Sequence, residues 1–335
     1  MMYARWHYSR AGALGSAVFA LAACSSPDAP TPVPWHQLEA PGPSPRWAHA
    51  AVFDPKRRDV VLFGGFGAGN EIWLFSFKSR TWIRVDAPNG PTPRASPNAV
   101  ADPTRDRIVV FGGVAAAGVT NEMWAFDLAT HAWSTLPTGP APRWDAGIAT
   151  DGARAWIYGG FAPGLVGLDD LWEFDLASNR WTELPEPSPK PIARTNMGLA
   201  EWNGSLYMTG GHDARGDTPG TWRYDLTQHA WQQLSPSDTP RAGAHSATDV
   251  DRRCGDLILA GGDHDDGVGV ATTDYLLLTS TPRFVYAAGS GPFAPRRHAT
   301  LVMDQATREL LLFGGIEGSA TVYGDTWLSR LGNCP

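Results

Sequence analysis

Ile108-Val109-Val110-Phe111-Gly112-Gly113, followed by Trp124-Ala125-Phe126-Asp127-Leu128 and then Trp133, is the stretch on which the reading of this chain turns. An apolar run ends in a glycine pair, a tryptophan opens a second short run, and another tryptophan follows nine residues later. The same pattern recurs along the chain. Glycine pairs stand at Gly64-Gly65, Gly112-Gly113, Gly159-Gly160, Gly210-Gly211, Gly261-Gly262 and Gly314-Gly315, with spacings of 48, 47, 51, 51 and 53 residues. Short unbroken apolar runs lead into each pair, which fits strands covered on both faces. Glycine then supplies a turn where strands crowd.

Around each pair the punctuation is regular. Upstream come Arg46, Arg94, Arg143, Arg194, Arg241 and Arg296, and eight residues after all but Arg194 stands an aspartate, as in Asp54-Pro55 and Asp102-Pro103, a turn signal. Downstream come the pairs Trp73 and Trp82, Trp124 and Trp133, Trp172 and Trp181, and Trp222 and Trp231. The fifth repeat substitutes Tyr275 and Phe284; the sixth has Trp327, whose partner would fall beyond the last residue. Trp35-His36-Gln37-Leu38 supplies that partner from the other end, matching Trp133-Ser134-Thr135-Leu136. A repeat of this period builds a propeller, and a strand borrowed from the N-terminus closes its ring and removes the free sheet edges. With 37 Gly, 28 Pro and no sustained helical periodicity beyond the N-terminus, the class is all-β.

Pro-Arg, an apolar strand into Gly-Gly, then Trp or Tyr, then Trp resembles the kelch repeat, the superfamily that includes the galactose-oxidase-type propellers. The resemblance covers residues 35–335 and implies six four-stranded antiparallel blades, with strands A to D running outward from the axis. It does not carry over the copper oxidase chemistry, which in that family needs a cysteine crosslinked to tyrosine near the mouth. The cysteines here are Cys24, Cys254 and Cys334, and the latter two map to the opposite face. Sialic-acid mutarotases, also six-bladed kelch propellers, are the enzymatic alternative, though no catalytic motif matches residue by residue.

The first 23 residues read as a targeting segment: Arg5 and Arg10, then a short apolar run from Ala11 to Ala23. Leu21-Ala22-Ala23-Cys24 resembles the lipobox of bacterial lipoproteins, which implies cleavage before Cys24, lipid on its sulfur, and residues 24–34 as a Ser/Pro tether. Membrane attachment would then run through Cys24. Ser25 after the cysteine favours the outer membrane over the inner under the enterobacterial sorting rule. In an exported chain Cys254 and Cys334, on adjacent blades and the same face, form a candidate disulfide. The net charge of −7 argues against a nucleic-acid partner.

Length variation in the B–C loops marks the top face as the functional one. Candidate ligand contacts there are Arg46, Arg94, Arg143, Arg194, Arg241 and Arg296, with Trp47, Trp144 and His298. Guanidinium groups suit anion recognition. The opposing reading pairs the arginines within their own blades, with Glu71, Glu122, Asp170 and Asp325, two residues before the Trp, as ready partners. The densest set of potential metal ligands is His212, Asp213, Asp263, His264, Asp265 and Asp266, whose spacing matches no metal motif. The innermost-strand residues His49, His245 and His298 sit three, four and two residues after their arginines. No cofactor site and no catalytic residue is identified. The expectation is a non-catalytic, lipid-anchored propeller that binds an envelope protein or glycan, with a small-sugar enzyme or a purely structural envelope protein as alternatives.

Overall fold

The computed structural model describes residues 32–213, 215–218, 220–234, 244–263, 269–278, 283–286 and 292–332. Cys24, Arg241, His264, Asp265, Asp266 and Cys334 lie outside them. The described residues hold no helix. Six four-stranded antiparallel sheets form six blades. The innermost strands are Ala50–Asp54, Asn98–Asp102, Gly147–Thr150, Gly198–Trp202, Ala247–Asp251 and Thr300–Asp304. In five blades the strands run outward in chain order; in the sixth the outermost strand is Pro32–Leu38, paired with Thr326–Leu331. The ring is closed by the N-terminal strand at Trp35, as expected, although the strand starts at Pro32 inside the anticipated tether.

The repeated residues are the contacts that join blade to blade. Gly64 has φ +72° and Gly65 φ +102°. A Cβ on Gly64 would come within 2.6 Å of the Arg94 carbonyl oxygen of the next blade, and the Gly65 N–H donates to that same oxygen at 2.9 Å. The arrangement repeats at Gly113 with Arg143, Gly160 with Arg194 and Gly262 with Arg296, and Gly315 donates to Arg46 across the closure. The second aromatic of each Trp pair wedges against the ring that precedes the neighbouring glycine pair. Trp82 meets Phe313 at 5.2 Å, Trp133 meets Phe63 at 5.4 Å, Trp181 meets Phe111 at 5.2 Å and Trp231 meets Tyr158 at 5.5 Å. The core therefore lies between blades, as in the cluster joining Val60, Leu62 and Trp82 to Leu311 and Phe313.

On the bottom face the aspartates that end the inner strands cap their own turns. Asp54 accepts from the Lys56 N–H at 2.9 Å and Asp304 from that of Ala306 at 3.0 Å. Ion pairs then staple adjacent blades, Arg57 to Asp106 at 2.6 Å and Arg58 to Asp304 at 2.5 Å. Asp127, Asp175 and Asp225 accept from backbone N–H groups of Thr130, Ser178 and Gln228, the structural turn role that their position suggests. Cys254 is disulfide-bonded; the partner expected for it, Cys334, is among the residues not described.

Candidate functional site

The five described arginines do not form a mouth. Arg46, Arg143 and Arg296 have no exposed surface, and Arg94 and Arg194 have 3%. Each donates Nη1 to the carbonyl of the first glycine in its own blade's pair: Gly64, Gly112, Gly159, Gly210 and Gly314. Four also bind the acid two residues before the Trp. The separations are 2.7 Å for Arg46–Glu71, 2.6 Å for Arg94–Glu122, 2.7 Å for Arg143–Asp170 and 2.6 Å for Arg296–Asp325. Burial would raise the carboxyls of Glu71, Asp170 and Asp325, yet the paired guanidinium holds each below its ordinary value. A buried charge committed in this way has nothing left for a ligand, so Arg46, Arg94, Arg143 and Arg296 leave the candidate set. Arg194 keeps its glycine carbonyl but has no acid; Gly220 stands at that place.

The mouth is built one and two residues further on. Ala48, Ser96, Asp145, Asn196, His245 and His298 all adopt φ between +49° and +56°. Their backbones bond round the axis: Ser96 N–H to Ala48, Ala48 to His298, His298 to His245, His245 to Asn196 and Asn196 to Asp145. His245 and His298 thus occupy equivalent positions, contrary to the spacing counted from Arg241. Ala244 bridges Asp263 as Trp47 bridges Phe66, although Ala244 stands three residues after its Pro-Arg in the sequence and Trp47 one after its own. The inner strands below enclose a cavity of about 230 Å³, lined chiefly by small residues with His49, His245 and His298. His49 is buried, 2.8 Å from the Thr300 hydroxyl, and burial, with Arg46 nearby, depresses its pKa to about 3. His298 is likewise held neutral, by burial and then by His245 and Arg297.

Above the ring lies a collar in which the residue after each arginine position pairs with the residue after the glycine pair. The pairs are Trp47 with Phe66, Ala95 with Val114, Trp144 with Phe161, Thr195 with His212, Ala244 with Asp263 and Arg297 with Ile316. The scaffold residues repeat, whereas these vary: blades one and three share a Trp–Phe pair and the other four blades each carry a different one. Side chains of the collar and ring make a continuous arc. Centroid separations run 5.4 Å from Trp144 to Phe161, 6.2 Å to His212, 4.8 Å to His245, 4.2 Å to His298, 5.2 Å to Trp47 and 4.3 Å to Phe66. Beside it His245 Nδ1 donates to Asp263 Oδ1 at 2.6 Å, and Arg297 Nη1 donates to Asp263 Oδ2 at 3.0 Å. Burial would raise the Asp263 carboxyl, but His245 and Arg297 together keep it below the ordinary range. Trp47 is half-buried and Trp144 is buried, so neither offers a flat open platform alone.

Phe66, Phe161 and Arg297 escape a reading of the sequence alone. The signal that would find them is the single position after each Gly-Gly or Arg. Of the metal candidates among the described residues, Asp213 is bound by Arg215 at 2.7 Å and Asp263 by His245 and Arg297. Among the described residues, Asp251, Cys254 and Asp256 do cluster tightly enough for an ion. However, the Cys254 sulfur is in a disulfide and Arg308 Nε takes Asp251 at 2.9 Å, which leaves a cation only the Asp256 carboxyl, whose pKa burial raises to about 6.

Comparison with known families agrees with this geometry. The model for the KLHDC2/KLHL20/DRC7 Kelch-repeats domain matches residues 31–196. The model for the Attractin/LZTR1 beta-propeller matches residues 155–326, more than half of the chain. With six four-stranded blades, five of them showing one Arg-Gly-Gly device among the described residues, and both matches falling on that repeat, the chain belongs to the kelch-type β-propellers.

Proposed function

We propose that the protein is a lipid-anchored, non-catalytic kelch propeller that binds a protein or glycan at the bacterial cell envelope through its top-face collar. Kelch and β-propeller domains commonly mediate protein binding. The observation that carries the reading is the arc from Trp144 to Phe66, which sets ring faces and edges beside the Asp263–Arg297 pair. Aromatic rings offer apolar area at low entropic cost and Arg297 adds a charged anchor, the residue types that dominate binding hot spots. Attachment at Cys24, toward the outer membrane, would hold this face near envelope ligands.

The test is a glycan array and an envelope pull-down with the purified chain, beside variants Trp47→Ala and Arg297→Ala. Each should lose about tenfold or more in affinity for the ligand recovered, as truncating a hot-spot residue does. Undiminished binding by both folded variants would refute the collar. A small-sugar enzyme of mutarotase type is favoured by one observation, the His245–Asp263 contact at 2.6 Å, since acid–base work needs a histidine and a carboxylate in reach. Accelerated anomer exchange of a free sugar, followed by NMR and lost in Asp263→Asn, would establish that reading instead.

A further inference from the structure

Blade four lacks half of the device that its sister blades share. In blades one, two, three and six the arginine Nη2 donates to a carboxylate, at 2.7 Å to Glu71, 2.6 Å to Glu122, 2.7 Å to Asp170 and 2.9 Å to Asp325. In three of these the following Trp also donates its indole N–H to the same acid: Trp124 to Glu122, Trp172 to Asp170 and Trp327 to Asp325. In blade four the acid is replaced by Gly220. Arg194 still donates Nη1 to the Gly210 and Thr218 carbonyls at 3.1 and 3.3 Å, and Nε to Ile192 at 3.4 Å. Its Nη2 has no acceptor among the described residues, nor has the Trp222 indole N–H.

A guanidinium that is 3% exposed and lacks a counter-charge is costly to bury. Burial pulls its pKa down, and the more distant Tyr158 and Asp213 offset this only in part. Arg194 also lines a second cavity of about 230 Å³, off the axis between blades three and four. That volume is below the range for a drug-sized ligand, so the occupant is small. The cavity's outer wall is apolar. The exposed large apolar side chains among the described residues are Ile83, Leu165, Val166 and Ile192. Leu165 and Ile192 line this cavity, and Val166 adjoins Leu165 in its loop. The one carboxylate in the lining, Asp213, is already bound by Arg215 through Nε at 3.0 Å and Nη2 at 2.7 Å.

We propose that this cavity is a binding site for a small carboxylate with an apolar body, the carboxylate accepting from Arg194 Nη2 in place of the missing blade acid and the body lying against Leu165 and Ile192. The site shares Phe161, Thr195 and His212 with the collar, but its recognition rests on Arg194, Leu165 and Ile192, which take no part in the collar arc. Collar variants and cavity variants therefore fail separately.

Calorimetric titration of the purified chain with 4-methylpentanoate and with 4-methylpentanamide tests the site. The acid should bind at least about tenfold more tightly than the amide, since a hydrogen bond to a charged partner contributes about 1.5–3 kcal/mol. Arg194→Gln should erase that preference. Leu165→Ser with Ile192→Ser should weaken 4-methylpentanoate while leaving the weaker binding of acetate in place. If Arg194→Gln does not fold, Leu165→Glu with Ile192→Glu decides, because both side chains are exposed and the added charges should abolish binding of the acid. Absence of saturable binding at millimolar concentration, equal binding of acid and amide, or full affinity in the folded variants would each overturn the proposal.

Discussion

Replacing Arg296 with methionine separates a structural arginine from a ligand-gripping one. Arg296 has no exposed surface. It donates Nη1 and Nη2 to the two Asp325 oxygens at 2.6 and 2.9 Å, Nη1 to the Gly314 carbonyl at 3.0 Å and Nε to Ala294 at 3.0 Å. Its guanidinium carbon lies 4.2 Å from the Tyr323 ring centre and 5.6 Å from that of Phe293. Methionine fills much of the volume but leaves the Asp325 carboxylate, 18% exposed, without its counter-charge. Removing one member of a buried pair costs about 3–5 kcal/mol. Arg194→Met, with no carboxylate to orphan, should cost less, about 1–3 kcal/mol for the carbonyls it leaves. Urea unfolding gives both numbers from the midpoint and slope. The double variant Arg296→Met/Asp325→Leu should recover part of the loss, because the pair's attraction largely offsets its own desolvation. The Asp325 carboxyl is held below its ordinary value, so the stability lent by the pair is present above the unfolded carboxyl pKa and is lost as pH falls through the folded one. The deficit of Arg296→Met should accordingly narrow in acid. An Arg296→Met protein that unfolds like the parent, yet no longer binds an envelope ligand, would refute the assignment of this arginine to the scaffold.

Two further perturbations probe the closure and a buried acid. Trp35 is buried, donates its indole N–H to the Thr273 hydroxyl at 3.2 Å and meets Phe293 edge-on at 5.6 Å. Trp35→Ala should cost about 3–5 kcal/mol in urea unfolding and, by loosening the closing strand, promote self-association visible by light scattering. Glu186, which accepts from the Trp231 indole at 2.8 Å, has its pKa raised to about 7, chiefly by burial. A raised carboxyl pKa lowers stability as pH climbs from the unfolded value toward the folded one, so Glu186→Gln should gain on the parent between pH 5 and pH 8 in thermal unfolding. A constant difference across that range would argue against a protonated Glu186 in the native state.

What could be read from the sequence is what six blades have in common. Arg, Gly-Gly and the Trp pair each make one inter-blade contact, so they recur at one spacing, and the absent partner of Trp327 pointed to Trp35. The acids before the Trp could likewise be named as partners. Which way an arginine faces is not written in its spacing: a ring of guanidinium groups at the mouth and a ring buried behind it have the same sequence. Blade five shows a second limit. The ring is registered by the backbone bonds of His245 and its equivalents, and His245 stands four residues after Arg241 where the equivalents stand two after their arginines, so an alignment on arginine slips by two residues. The collar was hidden for the opposite reason. Phe66, Val114, Phe161, His212, Asp263 and Ile316 share one position but no common chemistry, since aromatic, aliphatic, imidazole and carboxylate groups all stand there, so no pattern in residue type marks it.

The same logic explains why blade four carries the argument for a ligand. In a repeat scaffold the cost of a buried arginine is normally met inside the blade, by the acid before the Trp, and four blades do so. Blade five also departs at the acid, where Thr273 stands, and its Arg241 lies outside the described residues. Blade four loses only the acid. Packing does not account for keeping Arg194, because an apolar side chain would fill the same space without the desolvation cost, and the carbonyls of Gly210 and Thr218 return only a fraction of it. A carboxylate arriving from outside balances the charge, and the cavity with Leu165 and Ile192 stands where it would enter.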